Sequence, residues 1–419
     1  MTYPRCLLAL TAAFTFVACT NDSQPEPDPI IDPVEEAIDL SAEEMANCYI
    51  VTQPGLYRFT ADNQFNLGEG LPVPPQISPV SARLLWQTRK DLVSSVELVQ
   101  TEGLPVILFQ VDEPGGNALI AACDDNGRIL WSWHIWMPEE EITSIPTATG
   151  YELMNMNLGA LNNSPADPAS YGMLYQWGRK DPFPAAATLT GTTSTVGAPI
   201  YDIDGKEVHI TNSDWNNSFG NTIPYAIANP TVCLSNFAHY ATSRDWLNPE
   251  NSDDSLWGNP QGDKIDRESG TFPNKGRKTC YDPSPAGWRV PPPNVFRDFT
   301  SSGGYAWTFD DFNVADINSD GVIDLNDYRY GWNFIVSPQT SLYFPAAARF
   351  DGSYAMLMGS VSGLWGNYWS NAPYSTMSGG AFCPLAFQIK DQSGRDMITV
   401  SPAAASSRAD AFSIRCIRD

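Results

Sequence analysis

Between residues 46 and 142 the apolar positions come in short β-prone runs, at 49–51, 55–59, 83–87, 92–99 and 105–111, separated by Pro, Gly and Asp. The sharpest pattern spans 119–136. There Asp125-Asn126-Gly127 supplies residues that tolerate the positive φ of a tight primed turn. After it, Ile129, Trp131, Trp133 and Ile135 alternate with Leu130, Ser132, His134 and Trp136. Period two with both faces bulky predicts a strand covered on both sides. His134, with no carboxylate partner in view, reads as a hydrogen-bonded core histidine. An acidic break at 139–142 then places a domain boundary, and a larger unit runs from 150 to 419. In it Gly, Ser, Asn and Pro are spread throughout, helical periodicity is scarce, and runs such as 185–198 read as surface insertions. One helix is predicted at 295–299, capped by Asn294. The expected class is α+β and β-rich, with a small antiparallel β-sandwich-like domain at 46–142 ahead of the larger unit.

The amino terminus sets the compartment. Arg5 supplies a positive start, residues 7–17 an apolar core too short to span a bilayer, and Phe16-Val17-Ala18-Cys19 resembles a lipobox with Phe16 where Leu is usual. This predicts a lipoprotein signal peptide at 1–18 and acylation of Cys19, which anchors a protein without threading it through the membrane. Residues 19–45 are acidic and Pro-rich and read as an extended tether. The formal net charge of -24 argues against nucleic acid as a partner, because displacing counterions from phosphates needs Lys and Arg. Six cysteines remain after Cys6 and Cys19, with no CxxC or Cys/His cluster, so a disulfide framework is permitted but its pairing is unspecified.

The strongest chemical motif is an EF-hand-type calcium loop at 316–327. Asp316, Asn318, Asp320, Asp324 and Asp327 place side-chain oxygens at loop positions one, three, five, nine and twelve, Val322 offers its carbonyl at seven, and Gly321 sits at the sharp turn. Asp in place of Glu at the last position resembles dockerin-type loops. Dockerins carry two such segments and this chain has one, so a structural calcium ion is expected rather than cohesin binding. Catalytic signatures are thin: three histidines without HExxH, no GxSxG, and no glycine-rich nucleotide cradle. A non-enzymatic protein is expected.

The larger unit carries a series of ordered phrases. They are Asn157-Leu158-Gly159-Ala160, the run 171–183 around Tyr175-Gln176-Trp177-Gly178-Arg179, then Cys280-Tyr281-Asp282-Pro283-Ser284-Pro285-Ala286-Gly287-Trp288-Arg289. Tyr343-Phe344-Pro345-Ala346-Ala347, Trp365-Gly366-Asn367-Tyr368-Trp369-Ser370 and Phe412-Ser413-Ile414-Arg415-Cys416 complete the set. Together they resemble the Fibrobacter succinogenes major paralogous domain family. The resemblance implies a C-type-lectin-like fold with long loop insertions in an outer-membrane, surface-exposed lipoprotein. It further implies a fimbrial tip or accessory adhesin, with fimbrial subunits and host or microbial surface proteins or glycans as partners. Polysaccharide capture by a surface glycan-binding protein is the alternative. The family usually reads Asp-Pro-Cys-Pro where Ser284 stands here, so a bridge from Cys416 would have to use Cys280 instead. The tryptophans and the arginines 179, 289 and 415 read as scaffold, and the loops at 188–263 as the contact surface.

Overall fold

The computed structural model describes residues 33–419 apart from 102, 242, 260–271, 374–379, 384 and 392. The signal peptide, Cys19, residues 19–32 of the expected tether and part of the 188–263 loops lie outside the described residues. The chain divides into two compact units, 1–36 and 37–419; of the first, Pro33–Glu36 forms one helical turn, and the second holds every described strand. Strand outweighs helix, 34% to 10%, which makes the protein a β-rich α+β one.

Eight strands open the second unit: β1 Ile38–Asp39, β2 Cys48–Ile50, β3 Gly55–Thr60, β4 Ser81–Gln87, β5 Val93–Thr101, β6 Leu104–Val111, β7 Gly116–Cys123 and β8 Ile129–Met137. They form two sheets, one ordered β1-β3-β6-β5 and the other β4-β7-β8-β2. β1 lies within the stretch read as tether, yet pairs in parallel with β3, Ile38 opposite Tyr57. The turn joining β7 and β8 forms at the expected place but is not a primed one: neither central residue, Asp125 or Asn126, has positive φ, and the left-handed position comes after them, where glycine carries it without strain. Gly127 takes φ of 77°, and Asp124 accepts from the backbone N–H of Asn126 and Arg128. β8 is almost wholly buried, and the ring of Trp133 meets that of Phe59 from the other sheet at 5.2 Å between centroids. Each such side chain contributes about 1.5–3 kcal/mol on leaving water.

The acidic break does not divide the core. Met154, Met156, Leu158 and Trp177 pack into the same cluster as Trp131, Trp133 and Phe109. The indole of Trp136 donates to the carbonyl of Ala160 at 2.7 Å, and the amide of Asn117 to that of Gly159 at 2.9 Å. The insertion after 185 is also stitched in: Ile200–Tyr201 extends the second sheet beside β4, Tyr201 opposite Gln87.

Beyond residue 150 the strands are short. Ile417–Arg418 lies between Glu152–Met154 and Trp288–Arg289 in a four-stranded sheet, so its backbone is paired on both sides. Gly331–Ser337 and Thr340–Pro345 form a hairpin around a second, aromatic cluster containing Phe296, Phe299, Phe334 and Phe344. The helix expected at 295–299 is instead a 3-10 helix over Pro293–Phe299, and Asn294 makes no cap. Pro291, Pro292 and Pro293 force an extended entry and remove donors, so the turn closes with the tighter bond from the Val295 N–H to the Pro292 carbonyl. Among the described residues no helix is long and apolar enough to cross a membrane.

Candidate functional site

The phrases of the larger unit interlock. Arg415, fully buried, donates from Nε to Asn157 Oδ1 at 2.9 Å and to the carbonyls of Asn155 and Tyr343, while its guanidinium lies 4.3 Å from the centre of the Phe344 ring. Burial pulls its pKa down to about 10, so it stays charged and is held by carbonyl dipoles. The Trp177 indole donates to Ser370, Trp369 to Tyr175 and Trp246 to Trp177. Arg179 donates to Gln176 Oε1 and the Val232 carbonyl, and Arg289 pairs with Asp419 at 3.1 Å. These side chains lock segments far apart in sequence and leave little of themselves to a ligand.

His134 is a core residue, as its setting in the sequence predicts. Its Nε2 meets Asn117 Oδ1 at 2.8 Å and its Nδ1 meets the Tyr175 hydroxyl at 3.3 Å, and burial lowers its pKa to about 3.

The proposed bridge between Cys280 and Cys416 is absent; both are free thiols, as are Cys48, Cys123 and Cys233. Cys280 donates to the Pro72 carbonyl at 3.4 Å. The atom facing Cys416 Sγ is the Ser284 hydroxyl, at 3.2 Å. Serine thus fills the place at which a partner sulfur would have to sit.

The 316–327 loop is held together by its side-chain oxygens accepting from its own backbone amides. Asp316 accepts from the N–H groups of Ser319 and Gly321, Asn318 from Asp320, and Asp320 from Val322. Gly321 takes φ of 83°, a region that strains any side chain. Asp327 is buried and closes the loop, accepting from Ile317 on one oxygen and Asp324 on the other. Ile323 packs on the aromatic cluster. Among the described residues, no three His, Cys, Asp or Glu side chains are gathered as a metal site; the carboxylates are bonded to the loop's own amides. The donors nonetheless fit calcium in kind, being all oxygen, with Asp316, Asn318, Asp320, Asp324, Asp327 and the Val322 carbonyl on one short loop.

Exposed aromatic rings lie outside the interlocked phrases. Tyr305 and Trp307, the latter 62% exposed, pack with ring centroids 4.3 Å apart and planes tilted by 43°, ahead of the acidic loop in sequence. Phe237 and Tyr354 form another exposed pair, centroids 6.2 Å apart. The sequence did not single out either pair by residue, although Phe237 falls within the 188–263 loops expected to make contacts. No protein-family model, curated protein or solved structure matches the chain.

Proposed function

We propose that the protein is a non-enzymatic, lipid-anchored surface adhesin of fimbria-associated or tip-like type, built on a C-type-lectin-like second half. One observation carries the binding reading: the residues of the ordered phrases are spent on internal contacts, as in Arg415 and Trp177, while exposed rings and long excursions sit on that frame. Rigid scaffolds that present loops in this way are typical of recognition proteins. The lipobox-like Phe16-Val17-Ala18-Cys19 supports the anchor, and the phrases support the fimbrial setting. Purified fimbriae from cells expressing the protein should contain it, and its mature amino terminus should take up labelled fatty acid. Its absence from assembled fimbriae would defeat the fimbrial version, and an unlabelled product the anchor.

Calcium belongs to this reading as a structural ion held by Asp316, Asn318, Asp320, Asp324, Asp327 and the Val322 carbonyl. A bound dication would neutralise the carboxylates crowded into the loop. With about 1 mM calcium and a dissociation constant of about 0.1–1 mM, the expected stabilisation is about 0.4–1.4 kcal/mol, or up to a few degrees in melting temperature. The Asp320→Ala variant should lose that increment; wild-type melting that is indifferent to calcium would remove the ion from the account.

A second reading, a surface glycan-binding protein for polysaccharide capture, draws on the exposed Tyr305 and Trp307 rings, since exposed aromatic faces suit sugar faces.

A further inference from the structure

The polypeptide from 191 to 195 is laid against the segment 357–360 by main-chain bonds. Thr192 donates to Gly359, Gly359 to Ser194, and Leu357 to Thr195, at 2.9–3.2 Å. Glycine makes this approach feasible: a Cβ on Gly359 would stand 2.6 Å from the Ser194 carbonyl oxygen. A stretch that reads as a floppy insertion is therefore one wall of an open groove of about 410 Å³. Hydroxyl residues line that wall, Thr193, Ser194 and Thr195, with Ser360 across from it.

Tyr354 also lines the groove, in the turn of a hairpin whose strands Phe350–Asp351 and Met356–Leu357 are pinned by buried Phe350, Ala355 and Leu357. Tyr354 is 45% exposed, and its ring centroid lies 6.2 Å from that of Phe237. Asp351 lines the same groove as an oriented acceptor, held by the Ser353 N–H at 2.9 Å and by Arg349 at 3.6 Å.

We propose that this groove binds a neutral oligosaccharide, the Tyr354 ring stacking on a sugar face while Asp351 and the Thr193, Thr195 and Ser360 hydroxyls meet its hydroxyl groups. An aromatic plane beside short hydroxyls and a fixed carboxylate suits a ligand with an apolar C–H face and a polar edge. The volume lies in the range of small-molecule sites, about 300–1,000 Å³. The net charge of -24 disfavours an anionic polymer, which selects neutral glycans. The acidic loop at 316–327 contributes no residue to the groove, so binding here does not require calcium.

The inference rests on the glycan reading, and its test separates the two. Affinity electrophoresis of the full protein through gels containing mannan, galactan, xylan, β-glucan or arabinan should show retardation by at least one polymer, unchanged by EDTA. Tyr354→Ala should weaken it about tenfold, and Tyr354→Phe should largely preserve it. Trp307→Ala should leave it intact. Retardation that survives Tyr354→Ala but disappears with Trp307→Ala would overturn the groove and keep the glycan reading. No retardation on any of the five polymers would sink both. Circular dichroism of Tyr354→Ala guards against mistaking unfolding for lost contact.

Discussion

Replacing His134 with Gln should make the protein gain stability relative to wild type as the solution is acidified, by about 3 kcal/mol between pH 7 and pH 4. The buried imidazole, caught between Asn117 and Tyr175, has its pKa lowered by desolvation from 6.5 to about 3. Below pH 6.5 the unfolded chain therefore takes up a proton that the folded one refuses. Stability from this group is complete above pH 6.5 and is lost as the pH falls toward 3. Gln keeps hydrogen-bonding capacity and does not titrate. Asp410 works in the opposite sense. Desolvation raises its pKa from 3.8 to about 6, although Arg349 lies 3.7 Å away, so the folded chain binds the extra proton between those values. Its contribution rises on acidification, and Asp410→Asn should show the reverse shift, of about 2 kcal/mol. Urea midpoints across pH 4–7 decide the matter, provided the slope with denaturant stays constant. A stability difference between wild type and His134→Gln that is flat across that range would mean the imidazole is protonated in the fold.

Ser284→Cys should create a disulfide with Cys416 and raise stability by as much as about 4–5 kcal/mol. The two side chains are fully buried, their heteroatoms 3.2 Å apart, and the residues are 132 positions apart in the chain. A bond across so long a loop restricts the unfolded ensemble strongly, while native strain sets how much of that gain survives. Under oxidising conditions the variant should have the same number of free thiols, less one, as wild type, with a melting point that falls on reduction. A variant that gains a thiol and melts as before would show that the backbone at these positions holds the sulfurs too far apart. Cys280 is a poorer partner because its sulfur is directed to the Pro72 carbonyl.

Where neighbouring residues carry the information, the sequence reads well. A turn forms at Asp125-Asn126-Gly127, though not the primed type, and the alternation after it makes a doubly covered strand. What escaped depends on partners distant in the chain. Asn47 donates to the carbonyls of Cys280 and Asp282 and accepts from the Trp131 indole, so three segments meet on one amide that has no local signature. Glu139, Glu140 and Glu141 resemble a linker only because their charges stay near the surface while the residues on either side share a core. Two-residue strands such as Trp288–Arg289 are too short for any period to register. The groove was invisible for the same reason: its walls come from 192–195 and 351–360, and only long-range backbone bonds join them.

The sheet that seats Ile417–Arg418 between Glu152–Met154 and Trp288–Arg289 has a consequence for biosynthesis. Its middle strand is made long after both flanks, so during translation Trp288–Arg289 waits for its partner and Glu152–Met154 is paired on one side only, with Ser144–Pro146. A nascent chain would emerge with this layer incomplete until Ile417–Arg418 is in place. Completion of this layer is thereby a late, long-range step of folding.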